Sequence, residues 1–271
     1  MVWVDDFNKD DMKKAVYQAT EIGKKWNILT PLVGFPILIS FFVFGGVFPV
    51  LFGQTVSKSG NPMSNPVTEF EYGLALPGYF WLLYAISVWI FYTISYFFSK
   101  RNKVVAYKWN LLASIVMMVP IYYSIVYGFQ FFVPLLGIRI FLWLIFIISV
   151  IYLFYYSLNR GTYEFSSYSV ERRNLLFQTV LVLWGIHAIL NFIFNGFDRI
   201  FARLLLSGIP LLLLFFTYGF TKILSSMITS IKLIKLIEKN QEHYREEFGY
   251  SIEAWYGKKS RQYKKWLKEN I

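Results

Sequence analysis

Cysteine is absent from the 271 residues of this chain. Its absence excludes disulfides, a thiolate nucleophile and metal sites built on cysteine. The nucleotide-binding patterns GxxxxGK[ST] and GxGxxG after a strand are also missing, and so is the helix-borne zinc motif HExxH. We therefore expect a non-enzymatic protein without cofactor or metal, whose energy source, if it uses one, comes from a partner or a gradient.

Charged residues are scarce as well, at 16%, whereas 56% of the residues are hydrophobic and 21% are aromatic. A soluble domain usually has about 45–50% apolar residues, glycine included, so the surplus is expected to face lipid. The net charge of +11 raises the question of nucleic acid. The basic residues lie between apolar runs, however, and nothing resembles an RNA or DNA module. These patterns favour a plasma-membrane protein with no nucleic-acid partner.

Six apolar runs reach the length of about 20 residues that a helix needs to cross about 30 Å of hydrocarbon. The predicted spans are residues 31–53, 74–99, 109–127, 139–158, 174–194 and 200–226. We predict an all-α polytopic membrane protein in three parts. An amphipathic amino-terminal segment (1–30) precedes a six-helix transmembrane domain (31–226), and a basic helical tail (227–271) follows.

Basic residues indicate how the chain is threaded, because cytoplasmic connections are enriched in lysine and arginine. With both termini in the cytoplasm, 23 of the 27 lysine and arginine residues fall on the cytoplasmic side. This asymmetry predicts a multi-pass protein with six spans and both ends inside.

The first span and the loop after it contain residues that interrupt regular helices. Prolines and glycines inside the span, Gly45 and Gly46 among them, predict a kink. Residues 54–73 are rich in Ser, Asn, Pro and Gly and predict an irregular outer loop. We expect Glu69 and Glu71, within that loop, to be solvated.

A predicted hairpin formed by residues 174–226 carries a polar stripe. His187, Asn191 and Asn195 recur at four-residue steps, and Asp198 returns to the same helical face. Polar groups in hydrocarbon need partner groups, water or a ligand, so the stripe predicts either a polar pathway or a seam of helix packing. At the outer turn, an interfacial ion pair is predicted among Asp198, Arg199 and Arg203.

The pair His187-xxx-Asn191 resembles one element of the CAAX-protease and bacteriocin-processing family, and it is similar to the His-xxx-Asn pair of rhomboid proteases. The resemblance covers five residues and implies an intramembrane protease. The first family also implies paired glutamates within a span, and the six predicted spans contain no glutamate. Rhomboids imply a Gly-x-Ser-Gly nucleophile, of which Ser207-Gly208 lacks the first glycine.

The tail combines cations with an aromatic residue. The candidate binding residues are Lys258, Lys259, Arg261, Lys264, Lys265, Trp266 and Lys268. Basic residues around an aromatic edge suit an anionic lipid surface, and they suit an acidic protein partner equally well.

Taken together, these patterns predict a non-catalytic membrane subunit of a transport, secretion or export assembly. Its expected partners are anionic lipids and either other subunits of a membrane complex or further copies of the chain. One alternative is a membrane scaffold, accessory or immunity protein without transport activity. The other is the protease-like protein suggested by His187 and Asn191.

Overall fold

The computed structural model describes residues 9–22, 29–58, 68–133, 136–158 and 200–270, together with isolated positions between 178 and 193. Every regular element in this part of the chain is helical, as the sequence predicts. The helices are α1 (Lys9–Glu21), α2 (Thr30–Phe42), a π-helical turn (Val43–Val47), α3 (Phe48–Lys58), α4 (Glu69–Gly73), α5 (Gly78–Ser99), α6 (Lys103–Gln130), α7 (Leu136–Leu158), α8 (Ile200–Lys239), α9 (Gln241–Glu247), α10 (Ile252–Tyr256) and α11 (Arg261–Asn270).

Five helical segments of the described chain are long and apolar enough to cross a membrane. They are Leu32–Thr55, Glu69–Ser99, Lys103–Gln130, Leu136–Leu158 and Gly208–Lys239. The chain is therefore a multi-pass membrane protein. The predicted fifth span, residues 174–194, lies outside the described residues except for the isolated positions.

Helix α6 lies at the centre of the bundle. In the most apolar stretch of α6, half of the residues are buried, compared with 17–28% of the residues in the corresponding stretches of the other four candidate spans. It packs against α3, α5 and α8. The other spans expose large apolar side chains, as in Ile148 and Ile151 of α7, which are 63% and 62% exposed. Such faces match a lipid environment.

The first candidate span is interrupted by the π-helical turn, which contains Gly45 and Gly46. A Cβ added to Gly46 would lie 2.5 Å from the ring of Trp81, so only glycine admits this contact. Further along, α3 touches the backbone of α6, because a Cβ on Gly128 would lie 2.2 Å from the carbonyl oxygen of Pro49. Small residues at such crossings let two membrane helices approach closely.

The prediction of an irregular loop over residues 54–73 is wrong in part. Helix α3 continues to Lys58, and α4 occupies Glu69–Gly73. Thr68 starts α4 with a capping box, in which its Oγ1 accepts from the backbone N–H of Glu71 at 3.2 Å and its own N–H donates to Glu71 Oε2 at 2.9 Å. The Thr-x-x-Glu spacing is typical of helix starts.

One end of the bundle is covered by a further apolar core, which we call the terminal cap because the amino-terminal helix and the tail contribute to it. It joins α1, α9 and α10 to the first turn of α6 and the last turns of α8. Its buried members are Met12, Ala15, Val16, Ala19, Val104, Leu233, Ile234, Ile237, Tyr244, Trp255 and Tyr256. The apolar face of the amino-terminal helix is thus covered by the protein's own tail.

Candidate functional site

The polar stripe expected in the fifth span falls where the structure gives no description. His187, Asn191, Asn195, Asp198 and Arg199 lie outside the described residues, and so does the side chain of Arg203. The stripe and the ion pair at the turn therefore stay predictions.

A different polar row lies inside the described bundle, on α8. Thr217, Thr221, Ser225 and Thr229 recur at every fourth residue, and the first three are buried, at 5–7% exposure. We call this row, with the groups that it meets on α6 and α7, the hydroxyl seam. Its four-residue spacing is present in the sequence, but uncharged hydroxyl residues in an apolar run are a weaker signal of a site than charged residues are.

Tyrosines and a serine complete the seam from the neighbouring helices. The hydroxyl of Tyr122 on α6 lies 2.8 Å from Ser149 Oγ on α7. Nearer the cap, Tyr156 on α7 places its hydroxyl 2.5 Å from Thr229 Oγ1. Polar contacts of this kind between membrane helices are each worth about 0.6–2 kcal/mol, so the seam links three helices.

Lys232 lies at the end of the seam nearest the terminal cap. Its Nζ donates to the backbone oxygen of Tyr156 at 2.5 Å and lies 4.4 Å from the centre of the same ring. A lysine can reach towards the polar side of the membrane from such a position while its stem covers apolar surface. The seam therefore ends on a cation.

The seam's chemistry is hydrogen bonding. Thr221 Oγ1 donates to Thr217 O at 2.7 Å, and Thr229 Oγ1 donates to Ser225 O at 3.0 Å, so both hydroxyls are satisfied within α8. Each oxygen keeps a lone pair for a second partner. Such hydroxyls can exchange partners when helices shift, or accept from a polar solute.

The end of the bundle opposite the terminal cap contains a buried ion pair. Arg139 Nε donates to Glu71 Oε1 at 2.7 Å, and Arg139 Nη1 donates to the carbonyl oxygen of Val133 at 2.9 Å. The two side chains are only 3% and 8% exposed. The expectation that Glu71 is solvated is therefore wrong. Glu71 also lies within the candidate span Glu69–Ser99, so the spans are not free of glutamate.

Further polar groups lie at the same end of the bundle as that pair. Gln54 Nε2 donates to the hydroxyl of Tyr127 at 3.1 Å, and that hydroxyl donates to the carbonyl oxygen of Tyr72 at 3.2 Å. Gln130 is 1% exposed, and its amide has no hydrogen-bond partner among the described residues. The Thr-x-x-Glu spacing could have located Glu71, but its pairing with Arg139, 68 residues away, leaves no local signal.

Ion pairs at the other end of the bundle surround the terminal cap. Glu242 accepts from Arg245 Nε at 2.7 Å and from the Tyr256 hydroxyl at 2.8 Å. Burial tends to raise the pKa of the Glu242 carboxyl, but the hydrogen bonds from Arg245 and Tyr256 outweigh it and lower that pKa. Burial and the neighbouring carboxylate both raise the pKa of Tyr256.

The predicted tail residues lie beyond the cap and are all exposed. They are Lys258 and Lys259 before α11, and Arg261, Lys264, Lys265, Trp266 and Lys268 within it. Among the described residues no group of three or more His, Cys, Asp or Glu could hold a metal ion.

Comparison with protein families, with curated proteins and with solved structures finds no match to this chain.

Proposed function

We propose that the chain is a non-catalytic plasma-membrane subunit of a transport, secretion or export assembly that works together with partner subunits. The hydroxyl seam carries this proposal. A polar row between three helices gives them alternative hydrogen bonds as they move, which fits conformational exchange around a pathway better than a fixed apolar packing does.

The proposal also includes the threading of the chain, with six membrane spans and both termini in the cytoplasm. Tyr156, near the end of α7, contacts Thr229 at the cap end of α8, whereas Ile209, near the start of α8, shares a core with Phe132 and Leu142 at the opposite end. Helix α7 thus ends at the cap end of the bundle, whereas α8 begins at the other end. This arrangement supports one further crossing between the two helices, for which the uncharged run 174–194 has the length.

Side-specific tags test this threading. A tag at residue 59 is expected outside and a tag at the carboxyl terminus inside. The reason is that α1 packs against the tail in the cap, and the candidate span Leu32–Thr55 separates α1 from residue 59. Both tags in one compartment would overturn the six-span arrangement.

Single-cysteine labelling tests the pathway, and the cysteine-free chain needs no prior engineering. We expect Thr221→Cys and Ser225→Cys to react with a charged, membrane-impermeant thiol reagent in native membranes, because helix exchange would admit water to the seam. Ile223→Cys is the matched control, since Ile223 lies between them and is 44% exposed on the apolar surface. Reaction of the seam positions at the control rate would contradict a pathway.

Partner subunits are tested separately by crosslinking in the native membrane, followed by the mass of the purified complex. A complex of fixed composition containing an energy-coupling subunit supports the proposal. A chain that purifies alone after crosslinking contradicts it.

A scaffold or accessory protein without transport activity is the second candidate. It is favoured by the hydroxyls of Thr221 and Thr229, which already bond within their own helix. In this case the seam only holds helices together. Replacing Thr221 and Thr229 together by valine should then lower the stability of the protein without changing the activity of the assembly. The transport proposal expects the opposite result, in which the variant stays stable and the activity is lost.

A further inference from the structure

Helix α11 has two chemically different sides. At 100° per residue, Tyr263, Trp266 and Leu267 fall on one side, and the cations lie on the opposite side. The cations are Arg261, Lys264, Lys265 and Lys268. None of the helix's residues is buried, and Trp266 is 40% exposed. The protein itself therefore leaves this apolar side partly uncovered.

The position of α11 is set by the end of a membrane span. Lys100 follows α5 directly, and its carbonyl oxygen accepts from the Lys259 N–H at 3.2 Å. Gly257, at φ +84°, lies so close to this backbone that a Cβ would come within 3.0 Å of the Lys100 oxygen. Ser260 then caps α11, its Oγ accepting from the Tyr263 N–H at 3.0 Å. Helix α11 thus begins where α5 leaves the bilayer.

The cations around α11 are largely uncompensated. Residues 258–271 hold six lysines and arginines and a single acidic residue, Glu269. Glu269 lies 3.7 Å from Lys265, and Glu253 lies 3.5 Å from Lys258, with all four side chains strongly exposed. Exposed pairs of this kind contribute little, so the helix presents net positive charge next to the membrane.

We propose that α11 lies in the surface of an anionic lipid leaflet, with Trp266 and Leu267 inserted among the lipids and the cations bound to headgroups. Amphipathic helices with aromatic and aliphatic residues opposite lysines and arginines bind membranes in this way. The occupant is lipid rather than an acidic protein because the backbone contact between Lys259 and Lys100 ties the start of the helix to the end of a span, and hence close to the bilayer surface. This inference does not depend on the transport proposal.

The full chain, reconstituted in vesicles, tests the docking. Asn270→Cys places an environment-sensitive fluorophore on the apolar side of α11. We expect a blue shift and quenching by lipid-borne quenchers in phosphatidylcholine mixed with phosphatidylglycerol, and a much smaller response in phosphatidylcholine alone. Raised salt should weaken the response, since it screens exposed charges.

Removing three cations should release the helix. The triple variant Lys264→Gln, Lys265→Gln and Lys268→Gln is expected to lower the ratio of docked to undocked helix by on the order of 100-fold, from about fivefold per cation near an anionic surface. Lys13→Gln, Lys14→Gln and Lys239→Gln remove the same charge from exposed positions elsewhere and should change little. Equal responses in both vesicles would overturn the proposal. So would a signal that appears only when a soluble acidic protein is added.

Discussion

The two ends of the bundle are held by different forces. At the end opposite the terminal cap, Arg139 and Glu71 form a nearly fully buried ion pair. In the terminal cap, Trp255 and its neighbours form an apolar core, and the charges stay at its margin, as in Lys9 and Glu247, whose side chains are 69% and 29% exposed. The same kind of contact, cation with carboxylate, therefore serves different purposes at the two ends.

This difference determines how each end should respond to mutation. Loss of one member of a buried pair leaves an uncompensated charge, at a cost of about 3–5 kcal/mol. An exposed pair contributes about 0–1 kcal/mol. The end that contains Arg139 and Glu71 should therefore be sensitive to charge, and the terminal cap should be sensitive to the volume of its apolar side chains.

The largest effect is expected at the buried pair of Arg139 and Glu71. Arg139→Met should lower the free energy of unfolding by about 3–5 kcal/mol, because Glu71 stays buried without its partner. Thermal unfolding in detergent measures it. Adding Glu71→Gln should recover part of the loss, and Arg101→Met, at an exposed arginine, should have little effect. A loss below 1 kcal/mol for Arg139→Met would show that the two ends of the bundle do not differ in their sensitivity to charge.

The core of the terminal cap is expected to respond to a cavity. Ile234 is fully buried, so Ile234→Ala should cost about 2–5 kcal/mol through lost burial and the space left behind. Hydrogen exchange in α1 and α10 measures the loosening. Ile223→Ala, on the lipid-facing side of the same helix, is the matched control. Equal effects of the two variants would mean that the cap adds no stability.

The crossing of α3 and α6 allows an intermediate test. Gly128→Ala should lower the free energy of unfolding by about 1–3 kcal/mol, because the new methyl group meets the backbone of Pro49. Gly219→Ala is the control, since a Cβ there meets nothing within 4 Å. A thermal shift of the same size and sign in both variants would show that the close crossing tolerates a side chain.

The smallest effect concerns pH and the cap. The pKa of Glu242 is lowered in the folded protein, so its contribution to stability is complete above the ordinary value of 4.5 and is lost as the pH falls through the folded pKa. Limited proteolysis of the tail, followed as the pH is lowered, should reveal the loosening. Glu242→Gln should flatten this dependence, and an unchanged profile in that variant would assign the acid sensitivity to other groups.

The apolar runs predicted the helices well, because a bilayer demands long uncharged segments that any window of sequence displays. The same rule failed at Glu71, where a capping box and a distant arginine place a carboxylate in a buried site. Residues 54–73 illustrate the limit further, since polar composition does not distinguish an irregular loop from the capped helix at Glu69–Gly73. Pairings between remote residues depend on how helices pack, and no local pattern encodes them.

Helix α8 is 40 residues long, or about 60 Å, twice the thickness of the hydrocarbon layer. Its last turns, which include Leu233, Ile234 and Ile237, pack against α1, α9 and α10 in the terminal cap. A tilt of α8 by about 10° around its first turn would displace its last turn by about 10 Å. A change in the tilt of this one helix would therefore move the helices of the cap as well.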